Sequence, residues 1–136
     1  MWKPISKLDY LPLSAEGRVI VVACPMLKRN DELRARWTGR AVAVIGDSSR
    51  YLRDIARDIL ANPQIRGIVF DGPACGRTAY DKFWTGTEDP GWRIDKEHVD
   101  LIRQFVDLFD DDCNWRTPPQ PFWPVRVAYL EETESK

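Results

Sequence analysis

Histidine is almost missing from this chain. His98 is the single instance, and the three cysteines, Cys24, Cys75 and Cys113, are widely spaced. A structural zinc site needs three or four thiolate or imidazole ligands, and with no CxxC pair none is expected. An odd cysteine count also argues against a disulfide framework and for a reducing compartment, which makes the cytoplasm the expected location. No apolar run approaches the roughly 20 residues of a membrane span, and Met1-Trp2-Lys3-Pro4-Ile5-Ser6 has no apolar leader core. Excess charge is missing too. The formal net charge is −1, so no basic field recruits nucleic acid and no polybasic stretch recruits a membrane surface. Neither the GxGxxG spacing nor a P-loop lysine motif occurs.

What is present is an ordinary globular composition, 43% hydrophobic and 30% charged over 136 residues, enough for one core and one domain. Residues 1–17 read as an N-terminal arm broken by Pro4, Pro12 and Gly17, residues 18–130 as the core, and 131–136 as a charged tail. Arg18–Cys24 (RVIVVAC) is a continuous β-branched run, the pattern of a strand buried on both faces. The basic stretch 26–40 follows, with Asn30-Asp31 placed to start a short helix through Trp37. Ala41–Ile45 is a second buried strand, and Gly46-Asp47-Ser48-Ser49 a turn rich in N-cap residues. Leu52, Ile55, Ala56, Ile59 and Leu60 then recur at helical spacing, with Arg50, Arg53, Asp54, Arg57 and Asp58 opposite. Asn62-Pro63 stops that helix, and Ile65–Phe70 is a third apolar strand.

Strand, glycine turn, helix and strand form a βαβ unit, which implies a parallel sheet. Residues 71–94 read as one long loop, and its aromatics, Tyr80, Phe83, Trp84 and Trp92, predict that it is packed. Asp95 is placed to cap a second amphipathic helix carrying Val99, Ile102, Phe105, Val106 and Phe109. That helix is expected to end by about Phe109, because Asp110–Asp112 oppose its dipole. Thr117–Pro124 is an extended connector, and Val125–Leu130 a last strand at a sheet edge.

In open α/β sheets ligands lie beyond the carboxyl ends of the strands. Two loops belong there. In the first, Gly46, Ser48 and Ser49, with Arg50 beside them, can hold a phosphate or carboxylate at a helix N-terminus, or serve as a plain capping turn. In the second, Gly72, Cys75, Gly76, Arg77 and Thr78 combine backbone freedom with a guanidinium fork and a hydroxyl, or simply satisfy turn geometry. Arg77 favours a thiolate at Cys75. A nucleophilic role for Cys75 stands against an inert loop cysteine, and proton transfer by His98 against a capping histidine. Tyr80 and Trp84 can stack on a flat ligand or form a local core.

Ala41–Gly86 (AVAVIGDSSRYLRDIARDILANPQIRGIVFDGPACGRTAYDKFWTG), followed by Pro-Gly-Trp-Arg-Ile-Asp at 90–95, resembles the A subunit of tetrahydromethanopterin S-methyltransferase. It also resembles the related domain found beside some thymidylate synthases. The likeness spans roughly residues 18–105 and is strongest over Ile59–Gly72. It implies a Rossmann-like three-layer α/β domain with a small, mostly parallel sheet. In the methyltransferase subunit that sheet holds a corrinoid, with a histidine in the glycine loop. The matching stretch here, Cys75-Gly76-Arg77-Thr78, contains no histidine, and His98 lies outside the motif. The resemblance therefore carries over Gly72, Gly76, Arg77 and Thr78 as ligand-contact positions, and no catalytic residue.

Three functions remain open at this point. The leading expectation is a small-ligand-binding module that holds a nucleotide or related phosphorylated cofactor at the strand-end loops, in an accessory or sequestering role. The second is an enzyme of nucleotide or one-carbon metabolism using Cys75 or His98. The third is an assembly protein, a homo-oligomer built on its six tryptophans and the Pro118–Pro124 segment. No cofactor can be named from the residues.

Overall fold

Val19–Ala23 is buried along its whole length, and only a central strand with neighbours on both edges and helices on both faces can place such a run. A computed structural model, which describes residues 2–24, 28–72, 77–86 and 90–110, shows that arrangement. The strands are β1 (Leu11–Pro12), β2 (Val19–Ala23), β3 (Ala41–Gly46), β4 (Gly67–Asp71) and β5 (Asp107–Asp110). The helices are α1 (Asn30–Trp37), α2 (Leu52–Ala61, entered through a short 3-10 turn at Ser49–Tyr51), α3 (Arg77–Thr85) and α4 (Lys96–Phe105). The five strands lie in the order β1-β3-β2-β4-β5, parallel except for β1. The protein is thus an α/β fold with a mostly parallel sheet.

The chain leaves β2 for β3 on one side, then crosses back over β2 to reach β4 on the other. Right-handed crossovers in opposite directions put the connecting helices on opposite faces. The cores agree: Leu33 and Trp37 of α1 pack against Val19, Val21, Val44 and Val69, while α2, α3 and α4 cover Ile20, Val22, Ile45, Ile68 and Phe70. Between Val19/Ala41 and Ile20/Ala43 the register slips by one residue at Val42. Gly17 passes against this bulge so closely that a Cβ there would lie 2.3 Å from the Ala41 carbonyl carbon.

The N-terminal arm is a strap docked on α2. The buried Asp58 carboxylate accepts from the Ile5 and Ser6 amides, both at 2.8 Å, from the Ser6 hydroxyl and from the Tyr10 hydroxyl at 2.7 Å. Asn62, one helical turn later, accepts from the Lys3 amide at 2.6 Å and donates to the Lys3 carbonyl at 3.0 Å. Trp2 and Tyr10 meet edge to face at 5.1 Å above this seam. Burial, with the Asp58 charge beside it, raises the Tyr10 phenol far above its ordinary range.

Three expectations need correction. The 1–17 arm contains a regular pairing, since Leu11 and Pro12 sit opposite Val44 and Ala43; proline is tolerated because this is an edge. The 71–94 stretch is not one loop, because Arg77–Thr85 is helical. Tyr80, Phe83 and Trp84 fall at three- and four-residue spacing, and that face packs on the sheet. The last described helix stops at Phe105, not near Phe109. Val106 turns extended (φ −118, ψ 124), and Asp107–Asp110 pairs with Gly67–Phe70. There Leu108 and Phe109 alternate between the two cores, while Phe105, expected inside, is 38% exposed. The connector 117–124, the strand expected at 125–130 and the charged tail lie outside the described residues.

Candidate functional site

The sheet order reverses between β2 and β4, because β2 sends the chain one way and β4 the other. At such a point the connections diverge and leave a crevice at the carboxyl ends. Here the ends are tied together. The Asp47 amide donates to the Ala23 carbonyl at 3.1 Å, and the Cys24 amide donates to the Asp71 carbonyl at 3.1 Å. Gly72 leaves β4 with φ +94, and a Cβ on it would sit 2.2 Å from the Cys24 carbonyl oxygen. Only glycine lets the two exits run this close.

Asp71 closes β4 as the one acid in an otherwise apolar strand, Gly-Ile-Val-Phe-Asp. Its carboxylate is buried and fully engaged. Arg29 donates to one oxygen at 2.8 Å, the Trp37 indole N–H donates to the other at 2.6 Å, and Arg36 stands 3.8 Å away. Burial alone would raise this carboxyl, but the Arg29 and Trp37 hydrogen bonds and the two guanidinium charges hold it below the usual carboxylate range. Arg29 reaches Asp71 from the residue just before α1, after the chain turns through Lys28 at φ 65. The other side of its guanidinium meets the Glu32 carboxylate at 3.1 and 3.2 Å. Glu32 and Asp71 together raise the Arg29 pKa, so the guanidinium is a fixed, permanent cation. Glu32 is 57% exposed, while Asp71 is closed off from solvent. Arg29 is therefore braced from inside by one acid and covered from outside by another.

The candidate residues distribute as follows. Gly46 ends β3, half-buried beside this edge. Ser48 is extended, and its hydroxyl oxygen accepts from the Arg50 amide at 3.3 Å as an N-cap. Ser49 is exposed in the first turn and faces a groove of about 620 Å³ beside α3. Gly72 forms the tight exit described above. Cys75 and Gly76 lie outside the described residues. Arg77 is the first residue of α3, its side chain likewise outside, and Thr78 is exposed on that helix. Tyr80 is buried with its ring edge-on to Phe70 at 5.2 Å. Burial raises its phenol above the ordinary range, and the charge of Asp47 adds to that. Trp84 donates its indole N–H to the Val106 carbonyl at 2.6 Å, which ties α3 to the start of β5. These two rings hold α3 against the sheet, so the structure gives each a packing role. His98 is half-buried in the first turn of α4, with Nδ1 3.9 Å from an Asp95 carboxylate oxygen.

Gly46 and Gly72 thus flank the end of β2 at one edge of the sheet, with Ser48 two residues beyond Gly46. Asp71, Arg29, Glu32 and Trp37 complete the edge and were missed. For Asp71 a signal existed, an acid ending a wholly apolar strand next to a glycine. For Arg29 none did, since nothing local separates it from Lys28, Arg34, Arg36 or Arg40.

Among the described residues no helix is long and apolar enough to cross a membrane. Comparison with protein-family models, with curated proteins and with solved structures finds no match for this chain.

Proposed function

We propose that this chain is a Rossmann-like small-ligand-binding module that holds a nucleotide or a related phosphorylated compound at the carboxyl edge of its sheet. The observation that carries the proposal is the reversal of strand order at β2 and β4, with a braced cation, Arg29, standing at the reversal. The ligand's anionic group takes the outer side of Arg29, displacing Glu32, while the Gly46–Ser49 turn supplies backbone amides and hydroxyls. Glu32 is exposed and its pairing with Arg29 is screened by solvent, so a ligand anion can take its place on the guanidinium. The resemblance to the methyltransferase subunit supports the same edge as the ligand-holding side, and the corrinoid is a less favoured occupant because the loop has no histidine.

A thermal-shift panel of nucleotides, cyclic nucleotides, folates and cobalamins tests this reading. A ligand at 100 times its Kd stabilises the fold by about 2.7 kcal/mol, which moves the midpoint by several degrees. A nucleotide hit that weakens in Arg29→Gln and tightens several-fold in Glu32→Gln supports it. A flat panel, or a hit indifferent to both substitutions, removes the site.

A further inference from the structure

We propose that the groove beside α3 is a separate binding site for a planar aromatic acid. Its walls are of two kinds. One side is apolar and aromatic, formed by Leu52, Phe83 and Trp92, and the other carries Lys82 and Arg103. The aromatic wall is fixed in place. Trp92 lies parallel to Phe83, with ring centres 4.7 Å apart and planes at 22°. Phe83 is itself held by Trp84 edge-on at 4.9 Å and by the Arg103 guanidinium 4.7 Å above its ring. A flat ring can continue this stack at little entropic cost, since no wall residue has to be ordered first.

The charged side is equally defined. Arg103 donates through Nε to the Phe83 carbonyl at 2.6 Å, and its Nη1 lies 3.9 Å from Asp100. Gly86 packs against the end of α3, where a Cβ would lie 2.7 Å from the Lys82 carbonyl oxygen, and Arg103 Nη2 lies at ordinary contact distance, 3.5 Å, from that position. Lys82 is exposed on the same helix as Phe83, one position before it. Among the described residues that line the groove there are two cations and no carboxylate. Lys82, with Arg103 also lining the groove, puts positive charge beside the aromatic wall and favours an anion over a neutral ring. A volume of about 620 Å³ suits a small ligand rather than a protein segment.

Ser49 borders both this groove and the Gly46–Ser49 turn, but the charge and the stacking surface here come from Lys82, Arg103, Phe83 and Trp92, none of which the strand-end reading uses. Its test is calorimetric titration of the full chain with naphthalene-2-carboxylate and with naphthalene-2-carboxamide. The acid is expected to bind with a sub-millimolar Kd and the amide about ten-fold more weakly, the loss of one charged hydrogen bond. Lys82→Gln, a surface change that leaves the fold intact, should weaken the acid about ten-fold and leave the amide unchanged. Trp92→Leu should weaken both. Equal affinity for acid and amide, indifference to Lys82→Gln, or no binding of the acid each overturns the proposal. Binding of the acid in a protein that ignores every nucleotide overturns only the strand-end reading, and the converse result overturns only this one.

Discussion

Asp71 is a buried carboxylate with three positive or N–H partners, and such a group binds its proton more weakly folded than unfolded. A lowered folded pKa means stability that is fully present above the unfolded value, about 3.9, and is lost as pH falls through the folded one. Asp71→Ala should cost about 2–3 kcal/mol at pH 7, because Trp37 loses its only described acceptor and Arg29 its inner brace. The advantage of the native protein over Asp71→Asn should shrink between pH 6 and pH 3 in denaturant titrations; an advantage that grew on acidification would contradict this account. The paired comparison matters because Asp58 works in the opposite sense. Burial raises its pKa even though Ser6, Tyr10 and the Ile5 amide donate to it, so its own contribution improves as pH falls. Glycines at this scale separate strain from collision. Gly39 and Gly72 both have positive φ, 89 and 94, but only at Gly72 would a Cβ strike backbone. Gly39→Ala should cost about 1–2 kcal/mol. Gly72→Ala should cost clearly more, because β2 and β4 must part. Equal losses would show that the two exits are not tied.

The docked arm is the element whose attachment rests most on one side chain. Removing the Asp58 carboxylate leaves the Ile5 and Ser6 amides and two hydroxyls without their acceptor. Asp58→Ala should cost about 2–4 kcal/mol and abolish hydrogen-exchange protection at Ile5 and Ser6, while the α2 amides stay protected. Retained protection at those two amides would mean that apolar contacts of Trp2, Leu8 and Tyr10 hold the arm alone. How legible an element was depended on how many faces it buries. β2, β3, β4 and α2 were placed within two or three residues, because continuous apolar runs and a full helical stripe leave few alternatives. α3 was hidden by the glycines before it, although Tyr80, Phe83 and Trp84 already show its spacing. β5 was hidden because Phe105 and Val106 extend the stripe of α4, and only pairing with β4 turns the next residues into a strand. At the site, strand ends located the glycines and serines. The Arg29–Asp71–Trp37 cluster depends on α1 folding back under β4, a contact across more than thirty positions that no local pattern reports.

For the molecule as a whole, topology sets the switch between β2 and β4, and packing accounts for much of the aromatic content. Of the six tryptophans, Trp2 joins the arm seam, Trp37 is buried, Trp84 ties α3 to β5 and Trp92 lines the groove. Those four have roles within one chain. The segment Pro118–Pro124, on which an assembly reading rests, lies outside the described residues, and light scattering at high concentration measures that reading directly. The central claim is that a phosphorylated ligand sits at the switch between β2 and β4, against Arg29. The most direct measurement is an amide and arginine-side-chain NMR titration of the full chain with adenosine monophosphate. The account predicts saturable shifts at Asp47, Ser48, Gly72 and the Arg29 Nε–H, whether or not the groove beside α3 also responds. Saturable shifts confined to Lys82, Trp92 and Arg103, or none at any concentration below the millimolar range, would contradict it.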